Sequence, residues 1–295
     1  MMNKIKCFLF GVMFVTLASC GITEKVPLTG RVHRIGISDA QMLSLSNKEY
    51  SMFMTSATKS VSKVNTQMVE RVGHRLSSAV EKYLLDNGYS KEIQNLSWEF
   101  NLIQNNQANA FCMPGGKIVV YEGLLPYTKN ESSLAIVLGH EIAHAVAKHG
   151  AEQITKKQAQ SIGTSVLSSV LNSTVGSGVG DIAAQAANGY FLFRNLKYSR
   201  ANESEADYMG LIFAAMAGYD PRNAIDFWER MSAATQGKIS EFLSDHPSDK
   251  HRIEDIKKWM PEAMKYYTMA KHNITTTPNS KKASSVKTNR SKGKH

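Results

Sequence analysis

The stretch LAIVLGHEIAHAVAKHG, Leu134–Gly150, decides how the chain is read. It is apolar nearly all the way round a helix, yet it carries His140, Glu141, His144 and His149. A buried helix tolerates ionisable groups only when they have partners, because an unpaired buried charge is very costly. His140 and His144 are four residues apart, so on a helix they project from one face, one turn apart. Glu141 lies about 100° round the axis. A zinc ion resolves the conflict: two neutral imidazoles bind it, and Glu141 faces a water on its open side. This is the H-E-x-x-H pattern of a zinc peptidase helix.

The surrounding sequence predicts an α+β fold, mainly helical, with one small sheet. Val61, Val64, Met68, Val72, Leu76, Val80 and Leu84 recur every three to four residues, so Thr58–Asp86 reads as an amphipathic helix stopped by Asn87-Gly88. NLSWEFNLI (Asn95–Ile103) alternates as a strand, and Ala108–Leu125 reads as a hairpin turning at Pro114-Gly115-Gly116. The H-E-x-x-H helix spans Asn130–Lys148, with Asn130 as its cap. Further helices are expected from Gly150, over Ala201–Ala217 and Pro221–Thr235, and from Pro247 to Trp259. The reading places one domain at residues 45–270, a tether at 20–44 and a disordered basic tail at 271–295. Asn172–Tyr190, rich in glycine and serine, reads as a flexible lid between metal-bearing helices.

The formal charge of +10 belongs to the ends. Lys4, Lys6 and the seven basic residues from Lys271 onward account for nearly all of it, and 26 basic residues face 25 acidic ones in between. The charge therefore argues against nucleic-acid binding. At the N-terminus, MMNKIK precedes the apolar run CFLFGVMFVTL and then LASC, the layout of a signal peptide over residues 1–19. Leu17-Ala18-Ser19-Cys20 resembles a bacterial lipobox, which implies lipid on Cys20 and an envelope location on the periplasmic side, with Gly21 favouring the outer membrane. Cys112, the remaining cysteine after Cys7 and Cys20, reads as a small core residue.

A catalytic zinc takes three protein ligands and keeps one open position. Within YSRANESEADYMG (Tyr198–Gly210), Glu203 and Asp207 share a helical face. Here the chain resembles the HtpX and Ste-type CAAX prenyl protease family of zinc metallopeptidases, among the gluzincins, and more nearly its periplasmic lipoprotein branch (BepA- and LoiP-like). The likeness rests on NAFCMPGGKIVVYEGLL, HEIAH, SRANESEADYMG and HPSDKHRI, in that order from about Gln107 to Ile253. It implies a zincin-type domain in which Glu203 is the third ligand to one Zn²⁺. Asp207 would fix the tautomer of a ligand histidine. Glu205, about 200° from Glu203, is the rival ligand and reads as a surface carboxylate.

The chemistry implied is peptide hydrolysis. Glu141 acts as general base and returns the proton to the leaving amine, and His246 is the candidate second donor to the oxyanion. His149 and His251 read as surface or helix-end residues, and Arg252 pairs with some carboxylate near the site. An extended substrate would add to the edge strand, with Asn109 and Ala110 beside the scissile bond. The expected function is a lipid-anchored zinc endopeptidase acting on unfolded or misassembled envelope proteins. The alternatives are a protease-fold chaperone or assembly factor for outer-membrane proteins, or a cell-wall-associated hydrolase or binding module.

Overall fold

The computed structural model describes residues 22–172, 193, 196–234, 242, 244, 246 and 251–276. The order is β1 (Ile22–Lys25), β2 (Val32–Ile35), α1 (Asp39–Ser56), α2 (Lys63–Asp86) and α3 (Ser90–Ile93). Then come β3 (Glu99–Ile103), β4 (Ala110–Met113), β5 (Lys117–Tyr121), α4 (Leu125–Thr128) and α5 (Glu131–Val146). The rest is helical: α6 (His149–Asn172), α7 (Arg200–Met216), α8 (Asn223–Ala234) and α9 (Arg252–Thr276). The mainly helical α+β class expected from the sequence is what is found. No helix among the described residues is long and apolar enough to cross a membrane.

The small sheet is the divider of the core. β3 runs parallel to β5 and β4 antiparallel to it, in the order β3-β5-β4. Successive strand side chains point to opposite faces. Ala110, Cys112, Ile118 and Val120 therefore join one apolar cluster with α2 and α5, while Phe111, Met113, Val119 and Tyr121 join another with α1 and α6. This double covering buries every residue of β4 and β5. The β4–β5 turn works because Gly115 and Gly116 take φ of 90° and 87°, a region that side chains avoid.

α5 and α7 cross with almost no side chain between them. A Cβ placed on Gly210 would lie 2.5 Å from the backbone nitrogen of His140, and one on Gly139 would lie 2.6 Å from the Gly210 carbonyl oxygen. This contact brings the motif helix and the helix of the expected third ligand to backbone distance.

Several boundaries differ from the sequence reading. Residues 22–35 are a hairpin packed on the domain: β1 and β2 pair antiparallel from Ile22↔Ile35 to Lys25↔Val32, and Val26 is fully buried. α1 begins inside the supposed tether, where Ser38 and Gln41 form a capping box. α2 starts at Lys63, with Ser62 as cap, and leaves Val61 and Val64 exposed. α9 runs past Trp259 and through Pro261, because Ala263 is buried against the core and Tyr208 donates to Glu262 at 3.1 Å. It also takes in the first residues of the expected tail. The signal peptide with Cys20, the glycine-rich lid and the end of the tail lie outside the described residues.

Candidate metal centre

α5 is the source of the motif side chains. Asn130 caps it by accepting a hydrogen bond from the Ser133 N–H at 2.8 Å, and its sequence is apolar enough to be buried over nearly its whole length. His140, Glu141 and His144 are each 2% exposed or less, and so is Glu203 on α7. The His140 and His144 Nε2 atoms are 3.0 Å apart. Glu203 places Oε2 3.4 Å from His140 Nε2 and Oε1 3.4 Å from His144 Nε2. His246 Nδ1 lies 3.2 Å from His140 Nε2 and 3.2 Å from Glu203 Oε1.

These four residues form a group able to hold one metal ion. The edge of a tetrahedron built on zinc bonds of about 2.0–2.1 Å is about 3.3 Å. The separations above, 3.0–3.4 Å with both Glu203 oxygens in reach of the imidazoles, lie near that length, so the donor types and their spacing fit zinc. Glu141 adds a second sign. Its Oε2 accepts the backbone N–H of Cys112 at 3.1 Å, while Oε1 is buried with no hydrogen-bond partner, although His246 Nε2 stands 3.4 Å away. An orphaned carboxylate oxygen beside a ligand group is where a water would be deprotonated.

The outer nitrogens of both motif histidines are held. His140 Nδ1 donates to Asp207 Oδ1 at 2.9 Å, and Arg252 clamps the carboxylates behind it, through Nε to Asp207 at 2.6 Å and a terminal nitrogen to Glu203 at 3.2 Å. Arg252 in turn lies 3.9 Å over the Trp228 ring. The carboxylate partner of Arg252, left open by the sequence, is thus two residues. His144 Nδ1 meets His149 Nδ1 at 2.9 Å, and its ring stacks on Tyr198 with centroids 4.0 Å apart.

Electrostatics follow from this packing. Burial pushes the His140 ring down, but the hydrogen bonds to Asp207 and Glu203 outweigh it and raise its pKa to about 10. Burial, helped by the neighbouring His140 and His149 and opposed by Glu203, holds the His144 ring well below its usual value. Burial also raises Glu141, making it a stronger base than an exposed carboxylate.

Some sequence expectations need correction. His149 opens α6, at a helix end as read, but is fully buried. Glu205 does not face solvent: it is 9% exposed and accepts from His149, Thr29 and Arg31, which also keeps it out of the ligand group. His246, expected as the second donor to the oxyanion, stands with the three expected ligands in the group that could hold the ion. Asn109 and Ala110 are buried, with the Asn109 side-chain oxygen turned back onto the Ala110 N–H. The Phe242 N–H already donates to the Ala108 carbonyl at 3.2 Å, so this end of the edge strand is covered. Cys112 is a buried core residue whose backbone, not its thiol, serves the site. His251 is exposed and turned to Glu254. Tyr198 and Trp228 escaped the sequence reading, because aromatic residues at these spacings carry no metal signature.

Fold and site together define a zincin-type metalloprotease domain with a one-zinc centre. The family model "Peptidase family M48" matches residues 70–260, and the chain belongs to that family. It is 42% identical over 174 residues to the mitochondrial metalloendopeptidase OMA1 of Schizosaccharomyces pombe, a match covering 58% of this chain and 49% of that protein. Against the human mitochondrial metalloendopeptidase OMA1 it is 30% identical over 280 residues, 90% of this chain and 52% of the relative. The beta-barrel assembly-enhancing protease of Yersinia pestis matches at 28% over 169 residues, 54% of this chain and 34% of the relative. The chain thus spans about half the length of these two mitochondrial relatives. The expected bacterial envelope address is overturned here: the mitochondrial relatives match at higher identity, and over more of the chain, than the bacterial one.

Proposed function

We propose that the protein is a zinc-dependent endopeptidase of the OMA1-like kind, cutting unfolded or misassembled polypeptides in a mitochondrial setting. The observation that carries this reading is the convergence of His140, His144 and Glu203 beside the unpaired oxygen of Glu141. His140, His144 and Glu203 hold the ion, and Asp207 and Arg252 orient them. When bound, zinc supplies Lewis acidity that polarises a carbonyl and makes a water more acidic. Glu141 takes a proton at Oε1 and returns it to the leaving amine, while the Cys112 N–H keeps Oε2 in place. An apolar recess lined by Met42, Leu84, Cys112, Pro114, His144 and Tyr198 lies alongside and suits a substrate side chain.

The position of His246 sets a condition on this activity. Three ligands leave a catalytic site open, and a fourth closes it. His246 Nδ1 stands among the donors and would compete with substrate for the fourth position, so cleavage would require His246 to withdraw. The test is zinc analysis of the purified chain with a casein-cleavage assay. One zinc per chain and cleavage lost by about 10²–10⁴-fold in Glu141→Gln, with zinc retained, support the reading. His246→Ala keeps the zinc and binds a hydroxamate inhibitor more tightly. Cleavage that survives Glu141→Gln would sink the assignment.

A further inference from the structure

The second motif histidine has an outer support that no recognised motif describes. His149 is fully buried, and its two ring nitrogens face two different polar partners: His144 Nδ1 at 2.9 Å and Glu205 Oε2 at 2.9 Å. With both buried rings neutral, proton placement in this chain has one consistent solution. Glu205 only accepts when ionised, so His149 donates from Nε2 and keeps a bare Nδ1. His144 must then donate from its own Nδ1, which leaves its Nε2 lone pair pointing into the ligand group. The tautomer required for metal binding is the one the relay enforces.

The relay ends on the N-terminal hairpin. Glu205 Oε1 accepts from the Thr29 hydroxyl at 2.6 Å, and Oε2 accepts from Arg31 Nε at 2.6 Å. The terminal nitrogens of Arg31 grip Glu152 of α6 at 3.2 and 2.8 Å, and Glu152 also accepts from Asn202, the residue before Glu203. Buried polar networks are stable only when every member is satisfied, and each group along this path has its partner.

We propose that His149 and Glu205 are positioning residues for the zinc ligand His144, and that Thr29 and Arg31 of the hairpin lock them, making the hairpin part of the metal centre. The proposal rests on the zinc reading above. Removing such an outer partner costs about 10–100-fold in metal affinity.

The experiment measures the zinc dissociation constant of the full chain by competition with a chromogenic chelator. Cobalt(II) put in place of zinc reports ligand geometry through its visible spectrum, and the thermal midpoint of the metal-free chain is read in parallel. His149→Phe and Glu205→Ala each loosen zinc by about 10–100-fold and change the cobalt spectrum. Arg31→Ala moves both readouts in the same direction by less. Glu205→Gln keeps an acceptor for His149 and recovers most of the affinity. A purely packing role would lower the metal-free midpoint while zinc affinity in the folded variants stayed within twofold of the parent, and that result overturns the proposal. If His149→Phe does not fold, Glu205→Ala and Arg31→Ala decide by the same criterion. A parent chain that binds no zinc removes the zinc reading itself, and is distinguished by its failing before any variant is compared.

Discussion

His140 and His144 sit one turn apart on the same helix, yet they are held from opposite ends of the chain. His140 is backed directly by a carboxylate, Asp207, clamped by Arg252 from the last helix. His144 is backed by another imidazole, and the carboxylate Glu205 comes one step later, clamped by Arg31 from the first hairpin. Both routes finish in an arginine–carboxylate pair whose carboxylate is on α7. The difference shows that equivalent ligands need equivalent orientation, not equivalent partners.

The comparison is tested most severely by removing the ligands themselves. His140→Ala and His144→Ala each abolish stoichiometric zinc, as measured by elemental analysis of the purified chain; a variant that keeps its zinc shows that its side was never a ligand. Next in size is the crossing that brings both supports to α7. Gly210→Ala drives a methyl group into the backbone of His140, so it destabilises the fold by about 3 kcal/mol or more in urea unfolding. An effect below about 1 kcal/mol would mean that α5 and α7 can slide apart freely.

Asp207→Asn sharpens the contrast on the His140 side. It leaves the fold intact and loosens zinc by about 10–100-fold in chelator competition, matching the loss expected of a direct carboxylate partner. The smallest effect concerns Glu152, which joins the hairpin to α6 and α7. Burial pushes its carboxyl up, but the His33 ring, Arg31 and Lys156 hold it far below the ordinary carboxylate range. A depressed folded-state pKa gives stability that is present above the unfolded value of about 4.3 and lost as pH falls towards the lower folded value. Glu152→Gln therefore costs about 2 kcal/mol at pH 7, and the gap to the parent closes as pH drops below about 4. A gap that stays constant from pH 7 to pH 3 would show that the charge is not what binds the hairpin.

The two sides also differ in how readable they were. His140 and His144 could be read because four-residue spacing on a helix is a local signal, while the roles of Glu203 and Asp207 came with the family resemblance around them. His149 is five residues from His144 and beyond a helix break, where Lys148 takes φ of 51°, so helical periodicity does not connect the two rings. That left-handed residue is pinned by Glu24, Asp39 and Glu92, each from a different element, and no sequence rule joins those positions. The hairpin was missed because β1 has no fully buried position and so no alternation to read. α9 was cut short because Pro261 reads as a breaker, whereas tertiary packing carries the helix through it. The Gly139–Gly210 contact exists only once two distant helices meet.

The long reach of the two supports has a consequence for the order of synthesis. Arg31 and Glu205 are 174 residues apart, and Asp207 waits a further 45 for Arg252. A chain made or threaded N-terminus first exposes the H-E-x-x-H segment well before the residues that orient it have emerged. Closing such distant contacts comes late in folding. The nascent polypeptide therefore leaves the ribosome with its histidines present but not aligned. The metal-binding side chains reach their final alignment only when both ends have docked.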